Sequence, residues 1–188
     1  MGVALVTAAI VTVLSSVLQV SYAQTNQELA NEILVVHNRE RALVNVPPLT
    51  WNDNLAAGAQ TWAQHISTTG QFVHDPEGHG GENIAGFFTG VSEPNGGQSK
   101  WVAEKSNYHG GPYNEQPGGP VIGHYIQMVW RNTHGIGCGT APPGAGGLRY
   151  SILVCRYNPP GGYPGQNPYW PSRSFLGDED GGADGDGN

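Results

Sequence analysis

The stretch of residues 123–139, GHYIQMVWRNTHGIGCG, constrains the fold of this chain most strongly. It places His124 at the expected start of a helix, and apolar residues then recur at helical spacing. A Gly-rich turn follows and leads into a segment of strand character that carries Cys138. We therefore predict a helix over residues 123–130 and a strand over residues 136–140.

A second long segment, residues 150–169, reads YSILVCRYNPPGGYPGQNPY. It resembles the second signature of the CAP superfamily (cysteine-rich secretory proteins, antigen 5, pathogenesis-related 1), and GHYIQMVWRNT followed by IGCG resembles the first. The resemblance extends over residues 28–169. It implies an α+β fold, a three-layer α-β-α sandwich of CAP type with a small antiparallel sheet and long loops. The 29 glycines and 14 prolines among 188 residues agree with long irregular loops.

The chain divides into three parts. Residues 1–23 combine an apolar run with small residues ahead of Gln24, which predicts a signal peptide and secretion to the extracellular region. A membrane anchor is the alternative because the run approaches spanning length, but no positively charged flank follows it. Residues 24–170 are predicted to form one CAP (SCP-like) domain, and residues 171–188 an acidic, Gly-rich, disordered tail.

The net charge of −7 is concentrated at the C-terminal end. Residues 177–188, GDEDGGADGDGN, contain acidic side chains and no basic ones, so the rest of the chain is close to neutral. A nucleic-acid partner is therefore excluded, because it would require clustered Lys and Arg. A calcium loop is the alternative for the tail, but the bidentate Glu at the twelfth position is missing.

The chain has two cysteines, Cys138 and Cys155. In an exported chain an even pair indicates a disulfide, and two strands joined by a Gly- and Pro-rich turn would bring the cysteines together. A pair of buried free thiols is the alternative. The disulfide would stabilise the fold by about 3 kcal/mol through loop closure.

Helical periodicity and capping residues locate the other helices. A capping-box spacing precedes the first helix, and Asn52 or Asp53 caps the second. The sequence GEN at residues 81–83 is expected to enter a short helical turn. The predicted elements are a helix over residues 26–43, a second helix after residue 52, a third over residues 97–107 and a strand over residues 150–157.

Four polar residues are candidates for a site, although their spacing alone does not bring them together. They are His74, Glu82, Glu104 and His124. The CAP resemblance implies that they line a central cleft in which the two histidines bind a divalent metal, most often zinc. Neutral imidazoles suit zinc, and the glutamates would orient them. Two protein ligands predict weak, exchangeable binding. His37, in contrast, is interpreted as a buried or capping histidine.

The resemblance also implies binding of sterols or fatty acids in an apolar groove beside the cleft. The aromatic residues that are candidates for its walls are Phe72, Phe87, Phe88, Tyr108 and Tyr113. Ordinary core packing is the alternative for each of them. Ile126 stands where the family commonly has threonine, and the extra histidines are His79, His109 and His134, of which His79 is a competing metal ligand.

These observations predict a secreted, monomeric protein that is nearest to fungal or plant pathogenesis-related 1-like proteins. It is expected to bind a small lipid and not to insert stably into a membrane. The alternative is a metal-dependent, protease-like hydrolase with Glu82 or Glu104 as general base. The HExxH helix of common metalloproteases is absent from the sequence, and no Ser or Cys stands in a nucleophile motif. We therefore assign no catalytic residue.

Overall fold

The computed structural model describes residues 26–78, 80–88 and 95–170. The predicted signal peptide, the predicted tail and His79 lie outside the described residues. Across the described part, no helix is both long enough and apolar enough to cross a membrane.

Four helices and a 3-10 segment are present in the described chain. Helix α1 spans residues 26–43, as predicted, and α2 spans Asp53–Thr69. The Asn52 side chain caps α2 by accepting a hydrogen bond from the Leu55 N–H, and Gly70, with φ of 75°, ends it. Helix α3 (Asn95–Ala103) continues into a 3-10 turn (Glu104–Asn107), and α4 spans Gly123–Met128.

Helix α4 ends two residues earlier than the sequence predicted. The N–H of Trp130 donates to the carbonyl of Gln127, so the last turn tightens to i→i−3 bonding. The buried guanidinium of Arg41 explains why the chain leaves the helix there. It donates to the carbonyls of Met128, Trp130 and Thr133 at 2.9 to 3.0 Å and to that of Pro47 at 2.6 Å. Arg41 thereby joins α1 to the connection between α4 and the sheet.

Four strands form one sheet in the order β1-β3-β4-β2. They are β1 (Thr50–Trp51), β2 (Gly81–Phe87), β3 (Gly135–Ala141) and β4 (Ser151–Asn158). The expectation of an antiparallel sheet is wrong at one edge, because β1 pairs with β3 in parallel. Two residues are too few to show an alternation in sequence, so the pattern gave no sign of β1.

The prediction of a helical turn at the GEN sequence is also wrong. Residues Gly81–Phe87 form strand β2, and every one of them has an antiparallel partner in β4. Pairing of all of β2 with residues 151–157 of β4 outweighs the weak helical tendency of Glu and Ala in so short a segment.

The two faces of the sheet bury different helices. On one face, Ile84, Ile152 and Val154 pack against α2. Gly139 makes this close packing feasible, because a β-carbon there would lie 2.3 Å from the Cα of Gln60 in α2. The other face packs against α1, α3 and α4 through a larger cluster that contains Ile33, Trp101, Tyr125, Met128, Leu153 and Tyr157. The helices on both sides make the structure an α-β-α sandwich, as predicted.

Cys138 and Cys155 are register partners on β3 and β4 and form a disulfide. Both cysteines are buried in the larger core cluster. The disulfide therefore joins neighbouring strands inside the protein, and thiol reagents have no direct access to it in the folded state.

Candidate functional site

The first half of the site is built at the start of α4. The Nδ1 of His124 lies 2.6 Å from Oε1 of Glu104, and the other oxygen of that carboxylate accepts the Tyr125 N–H at 3.0 Å. The His124 ring also stacks on the indole of Trp101, with ring centroids 5.9 Å apart. Two contacts thus orient this imidazole, and the Tyr125 N–H in turn orients the carboxylate.

The second half of the site lies at the start of β2. The Nδ1 of His74 is 2.8 Å from Oε1 of Glu82, which also accepts the Asp75 N–H at 3.1 Å. Arg156, the register partner of Glu82 on β4, donates to both Glu82 and Asp75. The hydrogen bond that His74 donates to Glu82 raises the pKa of His74 above its ordinary value, against an opposing effect of burial.

Side chains from both halves of the site line one cleft of about 280 Å³. His74, Glu82 and His124 line it, whereas Glu104 lies behind His124. The structure therefore brings the four residues that the sequence singled out to one cleft, as two His–carboxylate pairs.

The hydrogen bonds define what the imidazoles offer to the cleft. A carboxylate accepts, so each Nδ1 carries the proton and donates it, which leaves the lone pair of the neutral ring on Nε2. A histidine with its far nitrogen on a carboxylate is the usual arrangement of a metal ligand, so the donor set fits a divalent ion. Within the described residues, no group of three or more His, Cys, Asp or Glu side chains has the geometry to hold a metal ion.

A buried polar network supports the cleft from beneath. Asn83 donates to the His124 carbonyl at 3.1 Å and to the Tyr157 hydroxyl at 3.0 Å. That hydroxyl bonds Nε2 of His37 at 2.8 Å, and the Nδ1 of His37 bonds the Ile33 carbonyl and Gln98. His37 is fully buried, and burial lowers its pKa to about 4, so it stays neutral. It is the buried, hydrogen-bonded histidine that the sequence indicated.

The aromatic candidates occupy three different places. Phe87 is buried in the larger core cluster. Tyr113 lines the cleft and belongs to a smaller apolar cluster with Ile126. Tyr108 packs against this smaller cluster. Phe72 and Phe88 are exposed and flank Tyr150, with ring centroids 6.2 and 6.3 Å from it. Only this last pair borders an open apolar surface.

That surface is a groove of about 340 Å³ at the end of β2, lined by Phe72, Gly86, Phe88, Lys100 and Tyr150. The Tyr150 ring can pack against β2 at residue 86 because this residue is glycine; a β-carbon there would lie 2.5 Å from the ring. Glu82 and Phe88 are six residues apart on an extended chain, or about 20 Å. Phe88 therefore lies at the opposite end of β2 from the cleft, whereas Phe72, on the other wall of the groove, is only two residues from His74.

Sequence reasoning missed several residues of these sites. Arg156 and Tyr150 lie in the second signature but were assigned no role, and Glu115, which lines the cleft, was not considered. Strand register with β2 places Arg156 beside Glu82, and no local sequence motif predicts this position. The extra histidines His109 and His134 are exposed and do not line the cleft.

The fold and the cleft together define the class of protein. A family model described as CAP, the cysteine-rich secretory protein family, matches residues 34–157. The chain belongs to the CAP family.

Comparison with individual relatives shows which group of CAP proteins this chain is similar to. Over 156 residues the chain is 37% identical to pathogenesis-related protein 1A of Nicotiana tabacum, covering 81% of this chain and 88% of the relative. It is 36% identical over 146 residues to pathogenesis-related protein 1 of Arabidopsis thaliana, covering 76% and 84%. The crystal structure of NaASP2 superposes with a TM-score of 0.61 at 20% identity, over 76% of this chain and 85% of that one. The protein is a pathogenesis-related 1-like CAP protein.

Proposed function

We propose that this protein is secreted and binds a sterol or another small lipid in the groove between Phe72 and Phe88. The observation that carries the proposal is the exposure of these two rings, 42% for Phe72 and 63% for Phe88, on either side of Tyr150. Large apolar side chains that converge on one open groove are typical of a ligand surface. The apolar run at residues 3–20 supports secretion.

The groove has the size and chemistry for a small lipid. Its volume of about 340 Å³ is within the lower range of known ligand pockets. The exposed halves of the two phenylalanines offer about 200 Å² of apolar surface, and covering them would contribute about 5 kcal/mol before the costs of association. The ammonium of Lys100, which donates to the Gly86 carbonyl at 2.6 Å, supplies a polar edge for a sterol hydroxyl.

Sterol titration of the secreted protein, with and without a chelator, tests this function. Phe88→Ala should weaken binding about tenfold, because one wall of the groove is lost. Trp170→Ala is the matched control, since Trp170 is also 63% exposed but lies against Arg131. A chelator should leave binding unchanged, because neither cleft histidine is among the residues that line the groove. Equal sterol affinity of wild type and Phe88→Ala would contradict the proposal.

We also propose a weak divalent-metal site in the cleft, with His74 and His124 as ligands. The tautomer of both rings supports it, because each Nδ1–H is held by a carboxylate and each Nε2 is left as the donor atom. NaASP2 shares the fold and is described with Zn²⁺, which makes zinc the ion to test first.

Calorimetric zinc titration of single variants tests the metal site. His74→Ala and His124→Ala should each remove most of the binding, whereas Glu82→Gln and Glu104→Gln should weaken it by about 10- to 100-fold. His109→Ala, an exposed histidine outside the cleft, is the control. Because Glu82 raises the pKa of His74, zinc affinity should fall with decreasing pH before an unperturbed histidine would protonate. Wild-type affinity in both cleft variants would rule out the site.

The hydrolase alternative stays a prediction that no contact in the cleft favours. Glu82 is bonded to His74, the Asp75 N–H and Arg156, and Glu104 to His124 and the Tyr125 N–H. Both candidate general bases therefore already have partners. Chelator-sensitive peptide cleavage that is lost in Glu104→Gln would establish it.

A further inference from the structure

We propose that the apolar surface around the Phe72–Phe88 groove docks the protein onto an anionic lipid bilayer, from which the groove takes its ligand. This inference rests on the lipid-binding function proposed above and deepens it, because it names the source of the lipid. Docking of this kind is interfacial and reversible: exposed side chains enter the headgroup region of one leaflet.

The apolar surface is larger than the groove itself. Val73 follows Phe72 and is 53% exposed. The indole N–H of Trp62, in α2, donates to the Val73 carbonyl at 3.0 Å. Trp62 and Tyr150 both pack, half-buried, against the core cluster that faces α2. One connected surface results, called the docking surface below, and it consists of Trp62, Phe72, Val73, Phe88 and Tyr150.

These residue types suit the boundary between lipid headgroups and acyl chains. Phe72, Val73 and Phe88 together expose roughly 300 Å² of apolar surface, the size at which a patch on a monomer is often functional. Trp and Tyr combine an apolar ring with a polar tip and are enriched at membrane–water interfaces. A lipid seated in the groove would leave Val73 uncovered, because Val73 does not line it. A bilayer surface covers the whole patch.

Two cations at the edge of the docking surface favour an anionic bilayer. Lys100 lines the groove, Arg149 directly precedes Tyr150, and both are exposed. Within the described residues neither forms an ion pair, whereas Arg156 contacts two carboxylates. Of the residues that the structure describes, no acidic one lines the groove. This edge is therefore positive although the chain as a whole carries a charge of −7, and it complements anionic headgroups.

The position of the groove within the docking surface gives docking a role in lipid capture. Phe72 and Phe88 are walls of the groove and also members of the docking surface. A lipid that leaves a bilayer through water exposes its apolar surface, which is unfavourable in proportion to the area. Transfer into a groove that opens at the interface avoids this exposure. Docking should therefore speed lipid uptake from vesicles.

Co-sedimentation of the intact secreted protein with sterol-free vesicles tests the inference. The vesicles are made of phosphatidylcholine, with or without phosphatidylserine. Wild type should bind the phosphatidylserine vesicles at least roughly tenfold more tightly than the neutral ones, because each of the two cations contributes about fivefold. Added salt should reduce this difference, since it screens exposed charges.

Val73→Ser and Arg149→Gln are the informative variants, because neither side chain lines the groove. Each should weaken binding to phosphatidylserine vesicles about fivefold and leave sterol affinity in solution unchanged. Val35→Ser and Arg39→Gln are the matched controls on α1, with exposed fractions of 68% and 62%, and should bind vesicles like wild type. Melting temperatures should be nearly unchanged in all four, since all four side chains are exposed.

The outcomes separate docking from lipid binding itself. Wild-type vesicle binding by both Val73→Ser and Arg149→Gln would overturn the docking surface, and sterol affinity in solution would still report on the groove. Equal losses in the α1 controls would overturn it as well, because general charge or apolarity would then be the cause. A solution dimer that dissociates in Val73→Ser, without vesicle binding by wild type, would overturn it in favour of a second copy of the chain. Vesicle binding without sterol affinity would contradict the sterol function and support the docking surface.

Discussion

Replacing Arg41 with methionine should destabilise the protein far more than the same change at Arg39 on the same helix. Arg41 is fully buried and donates four hydrogen bonds to backbone carbonyls. Within the described residues, one of these four carbonyls, that of Trp130, accepts a second hydrogen bond, which comes from the Thr133 N–H. Arg41→Met therefore leaves the carbonyls of the buried residues Met128 and Thr133 without a partner, whereas Pro47 is exposed and its carbonyl is open to water.

The expected magnitude follows from these two buried carbonyls. A buried acceptor left without a donor costs about 1 to 3 kcal/mol. Taking the middle of that range for each of the two gives a loss of roughly 4 kcal/mol in the free energy of unfolding. At about 3 °C per kcal/mol for a domain of this size, the melting temperature should fall by about 12 °C.

Urea unfolding and thermal melting of three variants measure this effect. Arg39 is the control: its side chain is 62% exposed and its partner is Glu40, so Arg39→Met should cost less than about 1 kcal/mol. Arg41→Lys keeps the charge but not the planar fork, and should lie between the two. If Arg41→Met and Arg39→Met differ by less than about 1 kcal/mol, the carbonyl argument is refuted.

Two further predictions concern the disulfide and His37. The Cys138–Cys155 bond closes a loop with a sequence separation of 17, so reduction should lower the melting temperature by about 9 °C, and labelling of thiols in unfolded, unreduced protein would contradict the bond. The pKa of His37 is about 4 in the folded protein against 6.5 ordinarily, so the unfolded chain takes up the proton first as the pH falls. The free energy of unfolding should therefore decrease as the pH falls from about 6.5 to 4, by up to about 1.4 kcal/mol per pH unit. His37→Gln should flatten this slope relative to the control His109→Gln. Identical slopes in the two variants would disprove the lowered pKa of His37.

Local patterns in the sequence were sufficient for much of this fold. The apolar spacing and capping residues of α1 and α2 predict both helices, because those signals act within one or two turns. The pairing of Cys138 with Cys155 followed from two strand-like segments on either side of a turn. These features depend on neighbours in the chain, which the sequence displays directly.

Long-range pairing accounts for what the sequence could not show. The segment GENIAGF becomes a strand because β4 pairs with all of it. Arg41 lies on the buried face of α1, but three of its four acceptors are about ninety residues away, and backbone carbonyls have no sequence signature. The site residues were identified through the family resemblance, whereas Arg156 contacts Glu82 through strand register and Glu115 lines the cleft through the path of a loop.

The stacking of Trp101 on His124 gives the cleft an optical reporter of its own. The two ring planes are within 12° of parallel, so a charge on the imidazole acts directly across the face of the indole. A proton or a metal ion at His124 would therefore change the emission of a native tryptophan. Occupancy of the cleft can be followed by fluorescence without attaching a dye, and the other tryptophans provide the internal background against which the signal is read.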